Sequence, residues 1–472
     1  MRRTVSLGRL LACLALGFLS LFLTSISLAK TPPDSSLTSQ LSSLLSHHPN
    51  AGFILYDPES QRVLYERDAR RPLKPASILK LVTTGTAMHE LGPQYRFKTL
   101  VYGRRLVGSD AGEVYLRGGG APDLTIENLW LLARTLKLRG VSSIGKLFID
   151  STAFSGAAER SGQRAYQAGA SALAFNFNSV SFYICPAGSG APARITVDPF
   201  EYPVRVDGSI QTIPRGAGQF RLDELPGGGR NASFAAPVYR VAGTFGHNRS
   251  CETVYRSVED VDSYVGTVFQ RLLERLGVRV REGIRAGKTP ADSSLIYTLE
   301  SRPLAQIIRD LNHYSSNFIA EQLLMALGEV TPGTFERDFG LRKLESYLSR
   351  LGIPAGEYAV FDGSGLSHKN RISPYAILQV LRDAQASIDW DVEFARSLAV
   401  SGRTGTLEKR HFTPLVRGKT GTLDGVKSLA GFVINKNSRR FLFVLIQNKV
   451  SSGADAARLE ERLLDRISKS MS

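Results

Sequence analysis

The chain has 472 residues, of which 43% are hydrophobic, and its formal net charge is +16 at pH 7. This apolar content supports true hydrophobic cores and excludes a disordered chain, while the length indicates two or three domains. The seven histidines show no HExxH spacing and the cysteines form no CxxC pair, so the sequence predicts no metal site.

The N-terminus has the pattern of a secretory signal peptide. A short basic segment, 1–9, precedes an apolar run, 10–26, and Ser27-Leu28-Ala29 follows. We predict cleavage after Ala29 and export to the periplasm or cell envelope. The alternative is a membrane anchor, for which the run is short. An exported protein meets no nucleic acid, so the positive charge predicts either peripheral contact with an anionic envelope surface or a merely solvated exterior.

The two ends of the mature chain predict one antiparallel sheet with helices on it. In chain order the predicted elements are helix 35–47, strands 52–56 and 62–66, helix 77–91, strands 429–434 and 440–447, and helix 456–467. The last helix is amphipathic. It fits either a surface membrane anchor or packing against the core.

The middle of the chain differs in composition from both ends. Residues 97–296 are rich in glycine, short strands and turns, and residues 186–250 are especially rich in glycine and proline. We predict a β-rich insertion that contains a smaller nested domain. Cys185 and Cys251 bracket this nested part, and in an oxidising compartment they form either a disulfide or two buried free thiols. The predicted division is signal peptide 1–29, main domain 30–96 plus 297–472, inserted domain 97–185 plus 252–296, and nested domain 186–251.

The first candidate for chemistry is Ser77-Ile78-Leu79-Lys80. At the start of a helix, positions i and i+3 lie on one face, so the amine lies beside the hydroxyl. A serine nucleophile needs an adjacent base. Lysine can be that base only when burial or a second cation lowers its pKa. The pattern alone is weak, because Ser143-Ile144-Gly145-Lys146 repeats it in a glycine-broken context.

Two further motifs could complete such a site. Ser315-Ser316-Asn317 precedes a predicted helix and could relay a proton and hold the lysine, although helix capping is the ordinary use of these residues. Lys419-Thr420-Gly421-Thr422 lies on a predicted strand and could supply a second cation and a close backbone approach. The N–H groups of Thr422 and Ser77 could form an oxyanion hole. The similar run 403–406 has arginine in place of lysine, and we interpret it as a glycine turn.

SxxK, SxN and KTG in this order are the signature of class A β-lactamases and penicillin-binding proteins. The chain resembles the D-alanyl-D-alanine carboxypeptidase/endopeptidase family of the DacB type, the class C low-molecular-mass penicillin-binding proteins, over nearly all of its mature length. Other matching segments are 73–77, 171–173, 176–178, 362–367 and 416–425. The resemblance implies a β-lactamase/transpeptidase-like domain, an antiparallel sheet flanked by helices, with a β-rich insertion that has a smaller domain nested in it.

The resemblance also implies the reaction: a serine DD-peptidase that cleaves D-Ala-D-Ala bonds and D-Ala to diamino acid cross-links of peptidoglycan stem peptides, without a cofactor. Ser77 would attack the carbonyl, Lys80 would accept its proton, and Ser315 would pass a proton to the leaving amine. The residues that bind substrate would be Asn317, Lys419, Thr420, Gly421 and Thr422. β-Lactam antibiotics should acylate Ser77 as covalent inhibitors.

Preference for the substrate side chain is less well specified. His368 stands where the family commonly has arginine, and Asp424 where some members have a polar amide. Asp150 matches a family position that can contact the amine of a diamino acid, and a structural turn is its other reading. A β-lactamase and a non-catalytic wall-binding protein of the same fold are the functional alternatives. The large insertion argues against the first and the three intact motifs against the second.

Overall fold

The structure is a computed structural model that describes residues 35–225, 236–435 and 437–470. The predicted signal peptide, 1–29, lies outside the described residues. Among the helices of the described ranges, none combines the length and the apolar character needed to cross a bilayer.

A six-stranded antiparallel sheet, here called the catalytic sheet, is built from both ends of the described chain. In spatial order its strands are Arg62–Arg67, Ala51–Asp57, Arg440–Asn448, Val426–Ile434, Leu415–Leu423 and Ala399–Val400. The register pairs Ile54 with Val444 and Gly418 with Gly431. The prediction of one antiparallel sheet from both termini is confirmed.

Apolar residues cover both faces of this sheet, which explains why its central strands contain few polar residues. Alternate residues of a strand point to opposite faces. Phe53 and Leu55 pack in a cluster with the helices Ser35–Ser46 and Gly453–Ser470. Leu459, Leu463 and Ile467 of the last helix are buried there, so this helix packs on the core.

Ile54 and Tyr56 face the opposite side, in a second core cluster. Six helices of the described ranges pack on that side of the sheet. They are Lys80–Leu91, Leu304–Tyr314, Asn317–Ala326, Arg337–Arg350, Pro374–Ala386 and Asp391–Ser397. The molecule at this end therefore has three layers, with the sheet in the middle.

The inserted part of the chain builds a separate mixed sheet. Its strands are Arg279–Val280, Ile284–Ala286, Ser143–Asp150, Asp110–Arg117, Lys98–Val107 and Ser294–Glu300. Two helices, Ile126–Leu138 and Val261–Arg275, pack on it through a core cluster of their own. These helices were not among the predicted elements, although Leu129, Leu132 and Leu136 have helical spacing and are buried.

Two three-stranded sheets extend this insertion. One consists of Glu252–Ser257, Ser179–Cys185 and Arg194–Asp198, and the other of Phe220–Glu224, Val238–Gly246 and Arg205–Ile213. Cys185 and Cys251 form a disulfide across 66 residues of sequence, which selects the bridge from the two predicted alternatives. The exact domain boundaries stay a prediction.

Short strands connect the insertion to the helices of the catalytic part. Phe154–Ser155 pairs in parallel with Thr334–Glu336, which pairs with Glu329–Thr331. A further two-stranded ladder joins Tyr358–Ala359 to Arg371–Ile372. The pairing of Phe154–Ser155 with Thr334–Glu336 holds the loop after Asp150 next to the helices Asn317–Ala326 and Arg337–Arg350.

Candidate active site

Ser77 lies in a tight turn at the start of a helix. Residues Ala76–Leu79 form a 3₁₀ turn that leads directly into the helix Lys80–Leu91. A 3₁₀ turn has three residues per turn, so residues i and i+3 are eclipsed. The predicted α-helix over 77–91 thus begins as a 3₁₀ turn, which aligns Ser77 with Lys80. The residue before the nucleophile, Ala76, has a φ of 52°, a left-handed conformation that is strained for a side chain with a Cβ.

Lys80 is completely buried and touches three oxygens. Its Nζ lies 2.9 Å from Ser77 Oγ, 2.8 Å from Asn317 Oδ1 and 2.6 Å from the carbonyl oxygen of Ser364. Burial lowers the pKa of Lys80 to about 7, against the opposing charges of Asp362 and Glu321. A large share of this amine is therefore neutral near pH 7 and has a lone pair free to accept the hydroxyl proton of Ser77.

Ser315 and Asn317 lie between two helices, where the chain reverses. Ser316 supplies the helix cap, because its hydroxyl accepts a hydrogen bond from Ile319 N at 3.2 Å. Ser315 ends the preceding helix with a φ of 57°, which turns its hydroxyl toward Lys419. Asn317 accepts from Lys80 through Oδ1 and donates through Nδ2 to the carbonyl of Tyr166 at 3.3 Å. Capping is thus assigned to the middle residue, and the outer two face the site.

Lys419 is the second buried cation. It lies on the strand Leu415–Leu423, where its Nζ donates to Ser315 Oγ at 2.7 Å and to the carbonyl of Thr420 at 2.8 Å. Burial, followed by the charge of Lys80, lowers the pKa of Lys419 well below its ordinary value. The lysines of two motifs, SxxK and KTG, therefore share one charged environment, and Ser315 of the SxN motif contacts the second.

The strand passes so close to Ser77 that only glycine fits at position 421. A Cβ on Gly421 would lie 3.0 Å from Ser77 N and 2.9 Å from the carbonyl oxygen of Pro75, and it would overlap Ser428 Oγ. Ser428 fastens the same approach, since its hydroxyl donates to the Pro75 carbonyl at 2.6 Å. Thr422, two residues after Thr420 on the same strand, is exposed to solvent.

The two repeated patterns have different surroundings. Ser143 and Lys146 lie on the strand Ser143–Asp150, and Lys146 pairs with Glu282 at 3.3 Å. The segment 403–406 does form a glycine turn, with Gly405 at a φ of 60°. It nevertheless flanks the site, because Thr420 Oγ1 donates to Thr406 Oγ1 at 2.8 Å.

Asp150 is fully buried at the end of its strand. Its Oδ1 accepts hydrogen bonds from the backbone N–H and hydroxyl of Thr152, and its Oδ2 accepts from the same two groups of Thr289. Burial raises the pKa of Asp150, but these four hydrogen bonds outweigh it and lower the pKa overall. Thr152 belongs to the turn that follows the strand, whereas Thr289 is 139 residues away in sequence, so both oxygens are occupied by structural contacts within the protein. Contact with substrate stays a prediction, and the burial counts against it. His368 and Asp424 are exposed.

Three groups at the site were not predicted from sequence: the Ser364 carbonyl, the Tyr166 carbonyl and the Glu321 carboxyl. The turn at 362–367 brings the first of them in. Asp362 accepts from Gly365 N and Ser367 N, both at 2.6 Å. The run Asp-Gly-Ser-Gly was a visible turn signal, but no residue type encodes which carbonyl the turn presents.

A helix-flanked antiparallel sheet, with a buried lysine beside a serine at a helix start, defines a serine enzyme of the β-lactamase/transpeptidase class. Comparison with known proteins agrees. The chain belongs to the D-Ala-D-Ala carboxypeptidase 3 (S13) family, whose model matches residues 37–470.

Similar relatives cover nearly the whole chain. A D-alanyl-D-alanine carboxypeptidase of Actinomadura sp. is 29% identical over 86% of this chain and 79% of its own length. The D-alanyl-D-alanine carboxypeptidase DacB of Haemophilus influenzae is 27% identical over 92% of both chains. The crystal structure of penicillin binding protein 4 from H. influenzae superposes with a TM-score of 0.76 at 24% identity, over 91% of this chain and 99% of that one.

Proposed function

We propose that in this serine DD-peptidase Ser77 is the nucleophile and Lys80 its general base. One observation supports this most directly: a completely buried amine, whose pKa is lowered to about 7, lies 2.9 Å from the Ser77 hydroxyl oxygen. A general base works best when its pKa is close to the working pH. Ser77 itself is partly exposed, so a substrate carbonyl can reach it.

The proposed reaction has two halves. Ser77 Oγ attacks the carbonyl of a D-Ala-D-Ala bond, or of a D-Ala to diamino acid cross-link, and its proton moves to Lys80 Nζ. When the C–N bond breaks, Ser315 passes a proton to the leaving amine and regains one that comes from Lys80, which returns Lys80 to its neutral form. The acyl group stays on Ser77 as an ester. Water then attacks this ester and Lys80 accepts its proton. As the ester bond breaks, Lys80 returns that proton to Ser77 Oγ, which regenerates the hydroxyl and the neutral amine.

The substrate would lie along the strand Leu415–Leu423. Lys419 and Asn317 would bind its carboxylate and amide, together with Thr420, Gly421 and Thr422. An arriving carboxylate would favour the ammonium form of Lys419, which burial and the charge of Lys80 otherwise disfavour. The N–H groups of Ser77 and Thr422 would hold the developing oxyanion; a donor of this kind contributes roughly 3 to 4 kcal/mol.

β-Lactams would acylate the same serine. A solved structure of penicillin binding protein 4 from H. influenzae, 25% identical with a TM-score of 0.74, is a complex with a novel β-lactam. The amide that Ser77 would open belongs to a ring, so the leaving nitrogen stays attached to the acyl-enzyme and remains in the site.

The location and domain division follow from the same proposal. A substrate in the wall requires export, for which the predicted signal peptide 1–29 provides the route. The Cys185–Cys251 disulfide suits an oxidising compartment. The separate core cluster of the insertion supports a main domain of 30–96 plus 297–472 and an insertion at 97–296. The nested part at 186–251 shares the core cluster of the insertion, so its proposed bounds rest on its glycine- and proline-rich composition.

Defined muropeptides test the reaction. We expect the purified enzyme to release D-alanine from a pentapeptide monomer and to split a D-Ala to diamino acid cross-linked dimer, while Ser77→Ala protein does neither. Mass spectrometry of the products separates the two activities. If the enzyme frees no D-alanine and splits no dimer, yet hydrolyses penicillin rapidly, it is a β-lactamase and the proposal is wrong.

A further inference from the structure

A buried carboxyl group, Glu321, lies behind the catalytic lysine and has no role in the steps above. It is one helical turn after Asn317 on the helix Asn317–Ala326, so both side chains are on the same face. Glu321 Oε1 accepts hydrogen bonds from Gly363 N at 3.1 Å and Ser364 N at 3.0 Å. Glu321 Oε2 is buried and has no hydrogen-bond partner within the described ranges.

One residue separates this carboxyl from the amine of Lys80. The N–H of Ser364 donates to Glu321, and the carbonyl of Ser364 accepts from Lys80 Nζ at 2.6 Å, which is shorter than the distances from Nζ to Ser77 and Asn317. Glu321 therefore fixes the peptide that holds Lys80. The helix Asn317–Ala326 supports the lysine twice, through Asn317 directly and through Glu321 by way of Ser364.

The other charged groups around this pair leave it close to balance. Asp362, on the same turn, also raises the pKa of both groups, and Arg337 on the helix Arg337–Arg350 lowers that of Glu321. Lys419 shares the environment of Lys80 from the strand side. Asp362 accepts three hydrogen bonds, from Gly365 N, Ser367 N and Asn370 Nδ2, so both of its oxygens are satisfied as a carboxylate. Glu321, in contrast, has one oxygen, Oε2, without a hydrogen-bond partner within the described ranges.

Burial, reinforced by Asp362, raises the pKa of Glu321 to about 7, the value to which burial lowers that of Lys80. The two opposite shifts bring the proton affinities of the carboxyl and the amine toward each other. With the proton on Lys80, the pair is an ammonium and a carboxylate. With the proton on Glu321, the pair is a neutral amine and a carboxylic acid. The net charge of the pocket is the same in both states, so the reactive amine is reached without leaving an uncompensated buried charge.

We propose that Glu321 is a positioning residue and proton partner for Lys80: it holds the Gly363-Ser364 backbone that receives the lysine, and it carries a proton while Lys80 is neutral. The proposal rests on the assignment of Lys80 as the base. Lys80 loses a proton to solvent, which breaks an N–H bond, and Glu321 gains a proton from solvent, which forms an O–H bond. The net charge of the pair is the same before and after this exchange. Glu321 touches no substrate.

The pH profile of acylation tests this. In Glu321→Gln the amide oxygen can still accept from Gly363 N and Ser364 N, but no negative charge supports the ammonium of Lys80. We expect the acidic limb of the acylation rate by a fluorescent penicillin to move to lower pH, by on the order of one unit. Glu321→Asp keeps the charge and should return the limb toward that of the wild type, even if its maximal rate is lower.

Glu357→Gln is the matched control. This buried carboxyl accepts from Ser373 Oγ at 2.6 Å and pairs with Arg70, and it has no contact with Lys80, so its loss should not move the limb. Limbs of Glu321→Gln and wild type that coincide would overturn the proposal, as would a rate that falls equally at every pH. Failure of the assignment of Lys80 as the base looks different, because Lys80→Met would then be acylated as fast as the wild type.

A second measurement covers the case in which Glu321→Gln does not fold. Infrared spectra of wild-type protein with carbon-13-labelled glutamate should contain the C=O stretch of a protonated, buried glutamic acid at about pH 6, which disappears as the pH is raised through about 7. If no protonated glutamate is present at the lower pH, Glu321 does not hold the proton.

Discussion

The chain contains the pattern Ser-x-x-Lys twice, and the two copies have different surroundings. At Ser77 a 3₁₀ turn puts the lysine 2.9 Å from the hydroxyl oxygen, and the lysine is completely buried. At Ser143 the same pattern lies on a strand, where Lys146 is about one-third exposed and pairs with Glu282, and Ser143 accepts a hydrogen bond from Arg281.

The difference between the two copies shows what the Ser-x-x-Lys pattern specifies. In a strand, residues i and i+3 point to opposite faces, so Ser143 and Lys146 cannot meet. In a 3₁₀ turn they share a face. Burial adds the second requirement, since an exposed amine stays an ammonium at neutral pH. The pattern therefore specifies a spacing, while the backbone element and its burial decide whether a base results.

Replacing each of the two serines by alanine should give the largest difference in activity. Ser77→Ala should abolish labelling by a fluorescent penicillin, because no other group can form the ester, whereas Ser143→Ala should label like the wild type. Gel fluorescence after denaturation measures both. Labelling that persists in Ser77→Ala would refute the assignment, and its loss in Ser143→Ala would refute the contrast.

Replacing each of the two lysines by methionine should show that Lys80 supports activity but lowers stability. Lys80→Met should lower acylation by about 10²- to 10⁴-fold, as for the loss of a general base, yet raise the free energy of unfolding because it removes a buried amine. The folded pKa is about 7, below that of the unfolded chain, so the wild type regains stability as pH rises from about 7 to about 10. The advantage of Lys80→Met should thus be largest below about pH 7.

Lys146→Met is the control for this prediction, because its side chain is partly in solvent. We expect it to change the free energy of unfolding by less than about 0.5 kcal/mol at any pH and to leave acylation intact. Denaturant titrations at several pH values measure both variants. Equal stability of Lys80→Met and wild type at about pH 6 would contradict the burial argument.

Two glycines extend the comparison to backbone packing. Gly421→Ala would press a Cβ against Ser77 N and the Pro75 carbonyl, so the strand must shift; we expect acylation to fall by about 10- to 100-fold. Gly145→Ala, inside the second pattern, would press against the Gly112 carbonyl of the neighbouring strand. It should lower stability and spare acylation of the folded fraction. Normal acylation by Gly421→Ala would show that the strand does not need this close approach.

The smallest effect concerns Asp150, which ends the strand of the second pattern. Asp150→Asn should lower the free energy of unfolding by about 1 to 3 kcal/mol through its lost charged hydrogen bonds, with unchanged penicillin acylation. Its folded pKa is lowered, so the wild-type advantage is present above the unfolded pKa of about 4 and is lost as pH falls. A raised KM for a diamino acid peptide with unchanged stability would instead support substrate binding.

Sequence reasoning predicted much of the catalytic part for a physical reason. The short strand segments near both ends, the helix start at Ser77 and the order of three motifs are local signals, and each corresponds to an element that the structure contains. Glu321 could have been found, because it lies four residues after Asn317 on the same helix face. The carbonyls of Ser364 and Tyr166 could not, since every residue has one and only tertiary folding selects which is used.

The insertion was less predictable. Its glycine-rich composition predicted short strands and turns, so the helices Ile126–Leu138 and Val261–Arg275 were missed, although each is amphipathic. Whether Cys185 and Cys251 form a disulfide was also open, because spacing alone does not bring two cysteines into bonding distance. The helices had a local signal, whereas the disulfide depends on how distant strands pack, which local patterns do not report.

The pairing of the first strand with the last also sets an order of events during folding. The strand Ala51–Asp57 has the strand Arg440–Asn448 as its neighbour, and Lys74 N donates to Asn448 Oδ1 across 374 residues of sequence. Such distant contacts form late, because the entropy of closing the loop must be overcome first. The turn that presents Ser77 thus lacks its support until the final strand has been synthesised. A chain that ends anywhere in the insertion lacks Ser315, Asn317 and Lys419, so it has no assembled active site and no peptidase activity.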